Sequence, residues 1–387
     1  MLTILGATLA ILFAGIGLLI LYWRYRPPSD IHLAQSLRVE TWTAVRPDAH
    51  HAFTDLIKFQ DEYILAHATS PWHFASERCR LVIRTSSDAK QWDLAAEIRI
   101  PGEDVRDPKL AVIGEKLFLY FLRNSHTFYA EPTGTAYCIS DDGRNWTEPQ
   151  DLATMTGWII WRPKTRDGIT FYAPAYWSEH GKAALFKTTD GVNWSQVGLI
   201  YSGDKTDETA ISFRPDGSMV MTARLEIKPN RWGYHPEAHT LIGVALPPYT
   251  DWKLSRSYIT RLDGPCLFQI GEHTYACGRR HVGDSDYMGS VWGAKRTSLY
   301  LVLPDRLVFL SDLPSSGDTA YAGAVVEDES VLISYYTSPP NRDYIWLLGM
   351  ISNSSVEMAR VAIADLERLA NQRMASTDSA RIKFENL

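Results

Sequence analysis

Cysteine is scarce in this chain, with four in 387 residues, at Cys79, Cys138, Cys266 and Cys277. None forms a CxxC pair or any other metal-ligand spacing, so no metal site is legible. Cys266 and Cys277 flank a turn at Gly271–Glu272 and can face each other across it, either bonded or, as the commoner case for core thiols, reduced. Runs of basic residues are also missing. Lys+Arg of 39 against Asp+Glu of 45 gives a mildly acidic chain, which argues against nucleic acid as a partner. From about Arg38 almost to the C-terminus there is no long segment of helical period, which excludes helical bundles and doubly wound α/β folds. Aromatic residues, in contrast, are plentiful: 13 Trp and 19 Tyr, a supply that fills β-rich cores and can also stack on sugar rings.

The first segment lacks charge altogether. Leu2 to Trp23 reads LTILGATLAILFAGIGLLILYW, long enough to cross roughly 30 Å of hydrocarbon as a helix. No small-residue cleavage site or lipid-acceptor cysteine follows it, so the expectation is an uncleaved single-pass anchor. Arg24 and Arg26 follow the apolar run, a charge placement that favours a cytoplasmic globular part. The function argued below favours the opposite side.

Three copies of one frame mark the next region: SSDAKQW at Ser86–Trp92, SDDGRNW at Ser140–Trp146 and TTDGVNW at Thr188–Trp194. Their starts lie about 54 and about 48 residues apart, a repeat period. Asp and Gly shape a turn, the Ser/Thr side chain caps it, and the Trp packs beneath, which makes the frame a structural staple between outer strands. Around these frames a strand–turn–strand unit recurs six times, beginning at Phe53, Arg106, Trp161, Glu208, Gly264 and Tyr321. The pattern predicts an all-β, six-bladed β-propeller over residues 38–363, preceded by an anchor (1–26) and a linker (27–37). The strand RVETWTAV, Arg38–Val45, is expected to close the ring as the outer strand of the last blade. A short helix and polar tail (364–387) end the chain.

In a propeller the first strand of every blade lines the axis, so the entrances of those strands converge. They hold Asp55, Arg106 with Asp107, Arg162, Asp207 with Glu208, Asp263, and Asp318 with Tyr321. One such charge is ordinary rim. A set at six consecutive entrances is costly near a shared axis unless it serves a ligand. Carboxylates mixed with arginines suit glycoside cleavage, in which one carboxyl protonates the leaving oxygen and a second group attacks or activates water.

The three frames, together with ETAISFRPDGSMVMTAR at Glu208–Arg224, TYACGRR at Thr274–Arg280 and GDTAYAGAVVEDESVLISYY at Gly317–Tyr336, resemble the sialidase superfamily over residues 50–362. Each frame is one residue shorter between Asp and Trp than that family's Asp-box. The resemblance implies that Tyr321 is a nucleophile paired with Glu208. It also implies that Arg224 and Arg279 (or Arg280) belong to a carboxylate-binding arginine triad. Two landmarks depart from the family: Phe53-Thr54-Asp55 stands where the first triad arginine belongs, and the loop HATSPWHFASER from His67 holds no acid/base aspartate, only His67, His73 and Glu77. Asp55, Asp107 and Glu208 form an alternative three-acid set with Asp107 as the orienting member. Asp55 and Glu208 would then serve as base and acid across a water, giving inversion in place of retention.

These residues point to an exo-acting glycoside hydrolase on a terminal acidic or polar sugar, needing no cofactor. Asp55, Asp107, Glu208 and Tyr321 are the catalytic candidates, and Arg106, Arg162, Arg224, Arg279 and Asp318 the substrate-binding ones. The partners expected are a glycan and a membrane. The alternative is a membrane-tethered propeller that binds or assembles glycans without turnover.

Overall fold

The computed structural model describes residues 2–125, 132–227, 239–282 and 290–385. Helix α1, Leu2–Tyr25, precedes a ring of six antiparallel sheets. Blade one is built from His50–Phe59, Glu62–Ser70, Arg80–Ser86 and Asp93–Ile98, and blade two from Glu103–Ile113, Lys116–Ser125, Pro132–Ser140 and Gln150–Asp151. In blade three the inner strand is split into Trp158–Ile160 and Lys164–Thr165, both paired with Phe171–Trp177, and Lys182–Thr188 and Ser195–Ser202 lie outside. Blades four and five open with Thr206–Phe213 and Asp263–Ile270. Blade six runs Thr319–Val326, Ser330–Thr337, Ser355–Ala362 and then Val39–Val45, so the strand before the first blade does close the ring.

The repeated frames turn from the third strand to the fourth in blades one, two and three. In each, Asp Oδ1 (Asp88, Asp142, Asp190) accepts from the two backbone amides that follow the Gly/Ala position, at 2.7–3.0 Å. The tryptophan indole donates to the carbonyl of Ala89, Gly143 or Gly191 at 3.0–3.2 Å. Those three residues have positive φ and bury themselves against the preceding blade. A Cβ on Gly191 would lie 2.6 Å from the Phe118 ring. The frame therefore fastens one blade to the next as well as closing its own turn.

Two peripheral segments are more ordered than their composition suggests. The 27–37 stretch is strapped along blade five: His32 N donates to Asp312 Oδ2 at 2.7 Å, Ala34 N to Ser311 Oγ at 3.0 Å, and Leu37 is buried. The C-terminal helix α3, Ile363–Glu385, is longer than the short helix expected. It buries Leu366, Leu369 and Ala370, a stripe at helical spacing that meets Phe268, Leu310 and Val331 in one apolar cluster. Cys266 and Cys277 are direct partners across their hairpin, and all four thiols are free and buried.

The feature that matters for chemistry is at the inner strands. In five blades the inner ladder slips by a bulge, between Ala52 and Asp55, Arg106 and Lys109, Thr206 and Thr209, Asp263 and Cys266, and Ala320 and Gly323. Phe53, Asp107, Gly264 and Tyr321 within these bulges have φ of 50 to 59°. Left-handed backbone at a non-glycine residue is costly and tends to collect at functional sites. A bulge re-aims a side chain. Consequently the charges at the strand entrances do not share one register: Asp107 and Tyr321 lie inside bulges, whereas Asp55 and Lys109 lie just past them.

Candidate active site

The inner strands of blades four and six carry Glu208 and Tyr321 to one another. The Tyr321 hydroxyl donates to Glu208 Oε1. Glu208 Oε2 accepts the Gly264 amide at 2.7 Å and lies 3.1 Å from Arg224 Nη1. Gly264 is needed here because a Cβ at its position would sit 2.6 Å from the Tyr321 ring. Burial, followed by the Glu208 charge, pushes the Tyr321 phenol well above its ordinary range, so it stands neutral, keeping its proton and directing it at the carboxylate. Arg279 lies over the same ring, 5.2 Å from its centroid, and Phe53 meets it edge-on at 4.9 Å.

Asp107 faces this pair from blade two. It is 7% exposed, and its Oδ1 has no hydrogen-bond partner. Burial raises its pKa to about 6, Lys109 opposes the rise, and the Glu208 charge adds to it. A buried carboxyl poised near neutrality with a free oxygen is equipped to give and take a proton.

The remaining candidates are held differently. Asp55 is 1% exposed, and both its oxygens are used. Oδ1 receives the Leu56 amide and Arg162 Nε at 2.9 Å each, and Oδ2 receives the Leu110 amide at 2.7 Å. Arg162 continues to the Ala322 carbonyl at 2.9 Å. Asp55 and Arg162 thus tie blades one, two, three and six together; both Asp55 oxygens are taken, whereas Arg162 Nη1 has no hydrogen-bond partner. Arg106 is held in a fork by Asp104 at 2.5 and 2.8 Å. Arg224 forks onto Asp207 at 2.7 and 2.6 Å.

Asp318 is a hub. It receives Arg279 Nη2 at 2.9 Å, Trp346 Nε1 at 2.8 Å and Tyr336 Oη at 3.0 Å on one oxygen and His73 at 2.7 Å on the other, which also lies 3.2 Å from His50 Nε2. Burial works against its ionisation, yet His73, His50 and Arg279 hold it well below the usual carboxylate range. Among the described residues, two clusters have the donors to hold a cation, His50–His73–Asp318 and His180–Asp207–Glu226.

Sequence reading did not single out Lys109, Asp104, Arg261 or Trp346. Lys109 is fully buried, with Nζ 4.1 Å from the Trp161 centroid. Arg261 forks onto Asp263 at 2.8 and 2.9 Å. Asp104–Arg106 and Arg261–Asp263 are each two residues apart, and residues i and i+2 share a strand face, a signal that was available. Trp346 gave none, since it reaches the site from helix α2, Trp346–Met350, far along the chain.

Comparison with known proteins places the fold. Trypanosoma rangeli sialidase, solved with 2,3-difluorosialic acid as a covalent intermediate, matches with a TM-score of 0.60 at 12% identity, over 88% of this chain and 61% of that one. Hadza microbial sialidase Hz136 matches with a TM-score of 0.53 at 14% identity, over 84% and 68%. An exo-β-1,3-galactanase from Clostridium thermocellum matches at 0.50 and 13%, over 77% and 73%. The chain spans about three-fifths of the length of the Trypanosoma sialidase chains. No protein-family model matches it, and no curated protein matches it in sequence. The solved neighbours include sialidases, and the chain has their six-bladed propeller fold.

Proposed function

We propose that the protein is a retaining exo-glycosidase that removes a terminal acidic or polar sugar. The observation that carries this reading is the Tyr321–Glu208 hydrogen bond, with Arg224 on the carboxylate and Asp107 facing the pair. In the first step the Tyr321 oxygen bonds to the anomeric carbon while its proton passes to Glu208 Oε1, and Asp107 protonates the departing oxygen. In the second, Asp107 takes a proton from water, which cleaves the glycosyl–tyrosine bond, and Glu208 returns its proton to the phenolate.

A neutral phenol suits an anomeric carbon that carries or adjoins a carboxylate, because an anionic nucleophile would be repelled. Arg224, beside Glu208, is the cation placed to meet such a group, while Arg279, 1% exposed and hydrogen-bonded to Asp318, Tyr336 and the Thr319 carbonyl, adds its charge from over the Tyr321 ring. Phe53 offers an apolar ring where the third arginine of a sialidase triad would be expected, so the clamp is weaker than a full triad. Exo action follows from burial: Tyr321 is 6% and Glu208 4% exposed, reachable by a chain end but not by a chain interior. The frames at Ser86, Ser140 and Thr188 act as shortened Asp-boxes, with a structural role.

The test is release of sugar from a panel of aryl glycosides by the whole protein and by Glu208→Gln. The variant should lose on the order of 10²–10⁴-fold in turnover, the usual worth of a positioned acid–base group. Sugar binding without release by the native protein, unaltered in Glu208→Gln, would instead assign a non-catalytic glycan-binding propeller.

A further inference from the structure

The antiparallel meander puts two kinds of loop on the face that holds the entrances of the inner strands: those joining one blade to the inner strand of the next, and those leaving the second strands. Helix α1 ends on this face. Arg26, just past its last turn, pairs with Asp343 at 3.3 Å, and the Asp343 amide donates to the Arg26 carbonyl at 2.9 Å. The Arg342 guanidinium lies 5.2 Å from the Tyr25 ring. Ile20 and Arg24 of the apolar helix line one cleft with Pro47, Tyr344, Leu348 and Ile351. The loop that receives the helix is also the loop that carries Trp346 onto Asp318 at 2.8 Å. Apolar helix and candidate site are therefore joined through a single short segment.

The rim on this side is apolar in a particular way. Trp72, Tyr258, Ile259, Trp292 and Ile351 are exposed, and they belong to the loops of blades one, five and six and to the connection from four to five. Among the described residues, these lie in the part of the rim that flanks the docked helix. On the opposite face the exposed large apolar residues, among those described, are aliphatic: Ile169, Leu246 and Val326. Tryptophan and tyrosine favour the water–lipid boundary, where a ring can be half dissolved and its polar edge hydrated. The helix has a mean hydropathy of 2.0 over Gly6–Tyr25, and that apolar stretch is not buried.

We propose that the site-bearing face rests on the bilayer that α1 enters, and that the substrate is the sugar headgroup of a lipid in that membrane. This rests on the hydrolase reading for its chemistry, but not for its geometry. Holding protein and headgroup in one surface raises their effective concentration, which compensates for an arginine clamp short of one member.

Two measurements separate the parts. The full chain, reconstituted in phosphatidylcholine vesicles, is labelled with a fluorophore at Ile259→Cys, Trp292→Cys or Leu246→Cys, the native thiols being buried. Nitroxide-bearing lipid should quench the first two strongly and the third weakly. Equal, weak quenching at all three overturns the membrane-facing geometry. In the same vesicles, the sugar released fastest from aryl glycosides is presented as a soluble aryl glycoside and as a lipid headgroup. Trp72→Ser with Trp292→Ser should slow headgroup release by about tenfold or more and leave aryl glycoside release unchanged. Equal effects on both substrates overturn the lipid assignment. Absence of aryl glycoside cleavage by the native chain would fail the hydrolase reading instead, and the quenching would still decide the geometry.

Discussion

Glu208 and Tyr321 stand 113 residues apart in sequence and share a buried hydrogen bond at the centre of the ring. Each is delivered by a bulge in the inner strand of its own blade, and Gly264, from the blade between them, both donates its amide to Glu208 and leaves room for the Tyr321 ring.

Gly264→Ala tests that geometry without removing a reactive group. The new methyl would meet the Tyr321 ring at 2.6–2.9 Å, on backbone that already has φ of 59°. The ring must move and the hydrogen bond to Glu208 must open. Turnover should fall by about 10² or more while the fold, followed by circular dichroism, persists. Native turnover in this variant would mean that the pair is not the reacting centre.

Asp107 sets a pH limb. Its carboxyl titrates at about 6, so protonation of the leaving oxygen should be lost as pH rises through that value. Asp107→Asn should abolish the limb and slow release of poor leaving groups, while glycosides with acidic phenol leaving groups, which need no proton, stay within about tenfold of native. A pH profile unchanged in the variant would remove Asp107 from the mechanism.

The same shift has a stability consequence. A carboxyl whose folded-state pKa lies above its unfolded value is stabilising while protonated, and that contribution is lost as pH rises through about 6. Asp107→Asn should therefore raise the melting temperature above pH 6, by the equivalent of roughly 1–3 kcal/mol, and change little near pH 4. A loss of stability at pH 7 would contradict the assigned environment.

Asp55 is expected to matter for folding and not for chemistry. Asp55→Ala strands Arg162 and the Leu110 amide in a buried place, a loss of about 3–5 kcal/mol. Whatever fraction stays folded should keep a native KM for aryl glycosides. Full stability with lost turnover would restore Asp55 as a catalytic base.

The ring itself was legible because its signals are local and periodic: turn residues, alternating strands and the three frames recur at blade spacing, and the orphan strand at Arg38–Val45 had one sheet to join. Which acids face the axis was not legible to the same depth. Asp55 and Asp107 look alike as acids at strand entrances, yet a two-residue difference relative to the bulge leaves both oxygens of one taken by amides and Arg162, and one oxygen of the other without a partner. Bulges leave little trace in sequence when the left-handed residue is Phe, Asp or Tyr and not glycine. The docking of α3 and of the 27–37 stretch depends on partners far along the chain, which no local pattern encodes.

Covalent capture tests the central claim most directly. A glycoside with fluorine on the carbon next to the anomeric one slows both steps, and a good leaving group restores the first, so the native protein should accumulate one sugar per chain, with the added mass mapped by peptide mass spectrometry to Tyr321. Turnover of the parent glycoside with no adduct, or with the adduct on another residue, would contradict the account.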